Sequence, residues 1–182
     1  MDFVASEAVK ARFSNAGQKC NSAKRFVVLE HLHDTFIQKF VEKVATLKVG
    51  DPLDPSTDIG PLAKKAAQSD MANFVADAIS KGAKIELGGK TGQGYIFEPT
   101  VISNITKDMN IWKQEVFGPI APIIKAKTID EAIELANDSE YGLGCSIYGS
   151  DTNLLESVAT KIEASNIALN KVVTSYAFLP YG

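Results

Sequence analysis

The sequence predicts an α/β fold in which a mostly parallel sheet is flanked by helices. Short apolar, β-leaning runs alternate along the chain with segments whose apolar residues recur every three or four positions, the order expected when strands are followed by covering helices. The runs Phe26-Val27-Val28-Leu29 and Ile120-Ala121-Pro122-Ile123-Ile124-Lys125-Ala126 are apolar nearly throughout instead of alternating, the pattern of strands covered on both faces. At 182 residues, with 45% hydrophobic and 23% charged side chains, the chain is long enough for one sizeable core and has the composition of an ordinary globular domain.

The elements follow in order. Asp2 to Ser14 carries Phe3, Val4, Ala8 and Ala11 at helical intervals and predicts a first helix. Phe26 to Leu29 follows as a strand buried on both faces. His33 to Leu47 has Phe36, Ile37, Phe40, Val41, Val44 and Leu47 at three- and four-residue steps, an amphipathic helix, with His31 and His33 at its N-terminal end. Asp51 to Pro61, rich in Pro and Asp, reads as an extended surface loop. Lys64 to Gly82 returns to helical spacing, with Gly82 as its C-terminal cap. Lys84 to Leu87 is a strand and Gly88 to Gly94 a hairpin-like turn, since the full Walker spacing of a phosphate loop is missing. Tyr95 to Ile102 is a second strand that Pro99 demotes to the periphery. Ile120 to Ala126 is a strand, Thr128-Ile129-Asp130-Glu131 opens a helix as a capping box, and Tyr141 to Gly144 turns into the strand Cys145 to Tyr148. Asp151 to Ile162 is helical and Asn166 to Leu169 is a last buried strand. No repeat or linker divides the chain, so residues 1–182 read as one domain.

Composition narrows the function classes. A formal net charge of -3 with no basic block argues against a nucleic-acid surface. No apolar run reaches the roughly 20 residues that cross a bilayer, and the start lacks a basic and apolar leader, so the default expectation is a cytoplasmic protein without membrane contact. Cys20 and Cys145 are expected to stay reduced there, and neither has the spacing of a metal ligand.

Chemistry concentrates in the stretch from Phe13 to Arg25, where Cys20 follows Gly17-Gln18-Lys19 between a helical and a strand pattern. A thiolate is the best protein nucleophile for a carbonyl near neutral pH and needs a cationic or dipolar neighbourhood. Gly17 allows an unusual backbone, and Lys19, Lys24 and Arg25 supply positive charge. On these grounds alone Cys20 fits either a nucleophile or an inert buried thiol.

Phe13 to Ala23 resembles the active-site cysteine signature of the aldehyde dehydrogenase superfamily, in which a Gly-Gln pair precedes the cysteine by one residue and an Ala-x-Arg follows. Gln114-Glu115-Val116-Phe117-Gly118-Pro119 resembles the family's Glu-x-Phe-Gly-Pro segment beside the nicotinamide ribose. Val49 to Pro52, Ile59 to Leu62, Ala136 to Leu143, Asn170 and Leu179 to Gly182 match in the family's order, with the succinate-semialdehyde dehydrogenases most similar.

The resemblance implies oxidation of a small-molecule aldehyde to the acid with NAD or NADP. Cys20 is the implied catalytic nucleophile, with its backbone N–H as one oxyanion donor. Glu115 and Phe117 are the implied cofactor contacts. Asn170 and the segment from Thr174 to Gly182 resemble the loop that closes the aldehyde pocket, which makes Ser175 and Phe178 candidate substrate contacts. Asn15 and Asn21 read as loop or capping residues before oxyanion donors, Arg25 as an anchor of the active-site loop, and Lys24 and Arg25 also as attractors of an anionic substrate.

The family also places a dinucleotide-binding domain and a general-base glutamate in a Glu-Leu-Gly-Gly segment before the cysteine, and a subunit-joining strand after this region. Glu86-Leu87-Gly88-Gly89 spells those letters on the wrong side of Cys20 and reads as coincidence. The expectation is therefore a catalytic domain that lacks the N-terminal dinucleotide-binding domain and the C-terminal oligomerisation strand, from a homo-oligomeric parent, and that is inactive alone. Two alternatives stay open: a cysteine-dependent hydrolase or acyltransferase with a histidine near Cys20, and a non-catalytic oligomerisation module.

Overall fold

The computed structural model describes residues 1–178 and 180. A four-stranded sheet in the order β1-β4-β3-β2 is built from β1 (Phe26–Leu29), β2 (Lys84–Leu87), β3 (Thr100–Ser103) and β4 (Ile120–Ala126). Both β1 and β3 pair parallel with β4, Phe26 lying opposite Ile123 and Thr100 opposite Ile120, while β2 joins β3 antiparallel with an irregularity between Ile85 and Leu87. A separate parallel pair is formed by β5 (Cys145–Ile147) and β6 (Ile167–Leu169). The helices are α1 (Asp2–Phe13), α2 (Glu30–Val44), α3 (Lys65–Ser80), α4 (Asn110–Lys113), α5 (Ile129–Asn137) and α6 (Thr152–Ala159).

Two hydrophobic clusters cover the two faces of the larger sheet. Alternate residues divide between them, as the two-residue period of a strand requires. Phe26, Val28, Val101, Ala121 and Ile123 pack against Ala8 and Phe13 of α1 and Phe36, Phe40 and Val44 of α2. Val27, Ile102, Ile120 and Ile124 pack against Met71, Phe74 and Val75 of α3, Trp112 of α4 and Leu135 of α5. Phe36 stacks on Phe40 at 5.3 Å, and Phe26 lies 5.2 Å from Phe40.

Local signals hold well. Gly82, at φ +94°, ends α3, with the amides of Gly82 and Ala83 donating to Ile79 and Ala78. Thr128 accepts from the Glu131 amide at 3.1 Å while the Glu131 carboxylate accepts from the Lys127 amide at 2.6 Å, a capping arrangement closing the start of α5. His33 lies buried in the first turn of α2, with Nδ1 2.9 Å from Asp34 Oδ1, and that contact holds the Asp34 carboxyl below the usual carboxylate range.

Three expectations are corrected. The second strand of the Tyr95 region is not peripheral: it shortens to Thr100–Ser103, sits between β4 and β2, and is buried throughout, because Pro99 precedes the ladder instead of interrupting it. Conversely, β1 is covered on both faces yet half-buried, since it forms the edge of its sheet. The last strand is likewise half-buried, with Ala168 alone buried in it. The short α4, which periodicity over four residues cannot reveal, was not anticipated.

Candidate active site

The cysteine stretch begins where α1 stops. Ser14–Gly17 form a single tight turn in which Asn15, Ala16 and Gly17 all take positive φ, at 54°, 53° and 70°. Left-handed backbone costs an alanine roughly 1 kcal/mol or more, so this turn persists only because its surroundings fix it. Gly17 is one reason: a Cβ there would overlap the Gly118 carbonyl oxygen and sit 2.8 Å from Arg12 Nη2. Gly118 in turn lies against Met71 with no room for a side chain. The two glycines thus bring the Cys20 loop and the Glu115 block into backbone contact.

Arg12 is the second reason, and sequence reasoning missed it. Its guanidinium is fully buried and donates to the carbonyl oxygens of Ala23 (2.9 Å), Val116 (2.8 Å) and Gly118. One planar fork therefore ties the far end of the cysteine loop to both sides of Phe117. Burial pushes the Arg12 guanidinium down to about 9, opposed by the charge of Glu115, so it stays protonated at neutral pH. The signal was present: Ala5, Ala8 and Arg12 stand at i, i+3 and i+7 on the buried stripe of α1, and an arginine on such a stripe demands buried acceptors.

Cys20 is exposed in the turn that follows. The turn is pinned on both flanks. Gln18 Oε1 accepts from the Ala63 amide at 2.8 Å, and the amides of Ser22 and Ala23 donate to Lys19 and Ala11. The side-chain Nδ2 of Asn15 donates to the Gln18 carbonyl at 3.3 Å, the local turn role expected of it.

Lys24 joins the parts. Its ammonium donates to the Lys19 carbonyl at 2.8 Å, lies 3.4 Å from Glu115 Oε1, and stands 4.0 Å over the centre of the Phe117 ring. Burial foremost, then the charge of Arg12, brings Lys24 down to about 8, against the opposing pull of Glu115 and Cys20. Lys24 thus places Glu115 and Phe117 beside the loop that carries Cys20. This is a different task from attracting substrate.

Two cavities flank the loop. One of about 580 Å³ is lined by Gln18, Lys64, Met71, Gln114, Glu115 and Phe117 among others. The second, of about 630 Å³, is lined by Lys10, Ser14, Lys19, Asn21, Thr174 and Ser175 among others. Gln18 lines one and Lys19 and Asn21 the other, so the turn that carries Cys20 borders both, while Cys20 itself lines neither. The Glu115 side fits a nucleotide ribose and ring: an ionised carboxylate offers only acceptors, which hydroxyl donors match, and the Phe117 ring is 40% exposed for stacking.

Ser175 lines the second cavity, but Phe178 does not. Phe178 is 81% exposed and packs its ring on Tyr176 at 5.5 Å. Leu179, Tyr181 and Gly182 of the matching C-terminal segment lie outside the described residues. Asn170 Oδ1 accepts from the Gly149 amide at 3.0 Å and its Nδ2 donates to the Gly149 carbonyl at 2.9 Å, which ties the exits of β5 and β6 together. Arg25 donates to the carbonyls of Ala136 and Asp138 at the C-terminus of α5, anchoring the end of the cysteine loop there instead of facing either cavity. Both cysteines are free, and burial raises the Cys145 thiol.

This chain belongs to the aldehyde dehydrogenase family, whose sequence profile matches residues 1–182. Among its relatives, the succinate-semialdehyde dehydrogenase [NADP(+)] of Mycobacterium avium is 44% identical across the whole chain, which covers 39% of that protein. A succinic semialdehyde dehydrogenase from Streptococcus pyogenes, solved in complex with NADP+, superposes with a TM-score of 0.95 at 39% identity, over all of this chain and 40% of the other. A betaine aldehyde dehydrogenase from Staphylococcus aureus, solved with NAD+, gives 0.95 at 32% identity over all of this chain and 37% of the other. The chain thus spans about 40% of the length of the relatives it matches.

Proposed function

We propose that this chain is the thiol-bearing catalytic domain of an NAD(P)-dependent aldehyde dehydrogenase, with succinate semialdehyde as its aldehyde. The observation that carries the reading is that the residues flanking Cys20 border two cavities, Gln18 one that Glu115 and Phe117 also line and Lys19 and Asn21 one that Ser175 also lines. The 44% identity to a succinate-semialdehyde dehydrogenase supports the choice of aldehyde and favours NADP.

In this reading Cys20 Sγ attacks the aldehyde carbon, giving a thiohemiacetal whose oxyanion accepts a hydrogen bond from the Cys20 backbone N–H. A nicotinamide cofactor, which Glu115 and Phe117 would hold, would supply the hydride acceptor, and loss of hydride from the thiohemiacetal carbon would leave a thioester on Cys20. Water then cleaves the thioester to release the acid and regenerate the thiol, sulfur being a better leaving group than an alkoxide. Glu115 holds the ribose hydroxyls, Phe117 packs beside the ring, and Lys24 fixes both relative to the cysteine loop. Ser175 and Phe178 border the aldehyde, Phe178 by folding in from its exposed position. The working enzyme is cytoplasmic and homo-oligomeric, and the 182-residue chain is inactive by itself.

The test is turnover. In a protein of the relatives' full length that carries this chain, succinate semialdehyde and NADP+ yield reduced cofactor, and Cys20→Ala abolishes it; activity that survives Cys20→Ala refutes the reading. The 182-residue chain under the same conditions yields none, and clear turnover by it refutes the claim of inactivity.

A further inference from the structure

We propose that Lys24 is a positioning residue that works as a proton-operated latch: as an ammonium it holds the Glu115 carboxylate and the Phe117 ring against the cysteine loop, and as a neutral amine it lets both go. This rests on the reading of Glu115 and Phe117 as cofactor contacts and adds a control by pH to it.

Two cations hold the segment that follows α4. Arg12 takes the backbone, donating to the carbonyls of Val116 and Gly118 on either side of Phe117. Lys24 takes the side chains, its Nζ lying 3.4 Å from Glu115 Oε1 and 4.0 Å over the centre of the Phe117 ring. Among the described residues no other cation pairs with the Glu115 carboxylate and none other lies over that ring. The same ammonium donates to the Lys19 carbonyl at 2.8 Å, so one charged nitrogen spans the cysteine loop and both side chains.

Glu115 and Phe117 line the cavity of about 580 Å³, whereas Lys24 lines neither cavity. Lys24 therefore acts through those two side chains and not on a ligand directly. It engages Glu115 Oε1 and leaves Oε2 without a hydrogen-bond partner among the described residues, while the Phe117 ring beneath it stays 40% exposed. An acceptor oxygen and open ring surface thus remain for a ligand in the cavity.

The charge balance around the nitrogen sets the latch. The charged and titratable groups that face it are Arg12 from α1, Glu115 from the segment after α4, and Cys20 from its own loop. Burial foremost, then Arg12, pushes the ammonium down to about 8, against the pull of Glu115 and Cys20. Above that value the amine keeps a donor for the Lys19 carbonyl but loses the charge that draws Glu115 and the face of Phe117.

The experiment follows the carbon-13 resonances of the Glu115 carboxyl and the Phe117 ring in the 182-residue chain as pH is raised from about 6 to about 10. Both are expected to step together with the Lys24 Cε, near 8. Lys24→Arg stays charged and removes the step, holding both resonances near their low-pH positions. Lys24→Met also removes it, holding them near their high-pH positions, and Cys20→Ser keeps it. Glu115→Gln moves the Lys24 midpoint lower still, because the opposing charge is gone. Resonances that stay flat while Lys24 titrates, a step that persists in Lys24→Met, or one lost in Cys20→Ser overturns the latch and leaves the cofactor reading standing. NADP+ affinity, measured by fluorescence in a protein of the relatives' full length that carries this chain, connects the latch to the cofactor. The wild type is expected to bind about fivefold more weakly at about pH 9 than at about pH 7, and Lys24→Arg equally at both. Equal binding by the wild type at the two pH values overturns the control of the cofactor contacts by Lys24. Binding at neither pH overturns the cofactor reading, and the role of Lys24 with it.

Discussion

Replacing Arg12 by methionine separates a clamp from a bystander. Methionine keeps the length and most of the apolar stem but removes the donors to Ala23, Val116 and Gly118. Each buried carbonyl left without its donor costs about 1–3 kcal/mol, and the lifted burden of burying a guanidinium offsets part of the total. The net expectation is a loss of roughly 2–4 kcal/mol, which at a urea dependence of about 2 kcal/mol per molar moves the unfolding midpoint down by 1–2 M. Arg12→Lys restores charge but not the planar fork, and is expected to recover less than half of the loss. Circular dichroism in urea reads both variants. A midpoint within about 0.3 M of the wild type for Arg12→Met would refute the clamp.

The remaining predictions concern the same loop. Gly17→Ala combines a left-handed backbone with a collision against the Gly118 carbonyl, and is expected to lose roughly 2–4 kcal/mol in the same assay; a loss below about 0.5 kcal/mol would show that the loop relaxes freely. Lys24 titrates near 8, below its ordinary 10.5. Between those values the unfolded chain holds more protons at this site than the folded one, so its contribution to stability rises with pH across the window. Carbon-13 NMR of the lysine Cε should find one midpoint near 8 that vanishes in Lys24→Met; titration of every lysine near 10.5 contradicts the burial. Cys20, exposed in a turn, is expected to alkylate faster than Cys145, whose thiol burial pushes up, and equal rates would count against the assignment.

Much of the frame was legible in the sequence because it rests on short-range physics. The caps at Thr128 and Gly82, the spacing of Phe36, Phe40 and Val44, and the apolar run of β4 are each decided within a few residues. Strand order is decided by long-range pairing, which is why Pro99 led to a peripheral strand that is in fact buried between two others. The site divides the same way. Cys20, Glu115 and Phe117 were found through motifs, yet the links among them run through Arg12 and Lys24, whose partners lie far along the chain. A cation next to the cysteine says nothing of whether its charge is available until its partners are known: Lys24, read as an attractor of an anionic substrate, is engaged by Glu115 and the Lys19 carbonyl, and Arg25, read as a loop anchor as well as an attractor, is engaged by the carbonyls of Ala136 and Asp138.

The central claim, that Cys20 is the thiol that captures an aldehyde, is tested most directly by carbon-13 NMR with succinate semialdehyde labelled at its carbonyl carbon. Adding the protein is expected to produce a tetrahedral thiohemiacetal resonance distinct from that of the hydrate, lost in Cys20→Ser and kept in Cys145→Ser. A resonance that persists in Cys20→Ser, or none in the wild type, would contradict it.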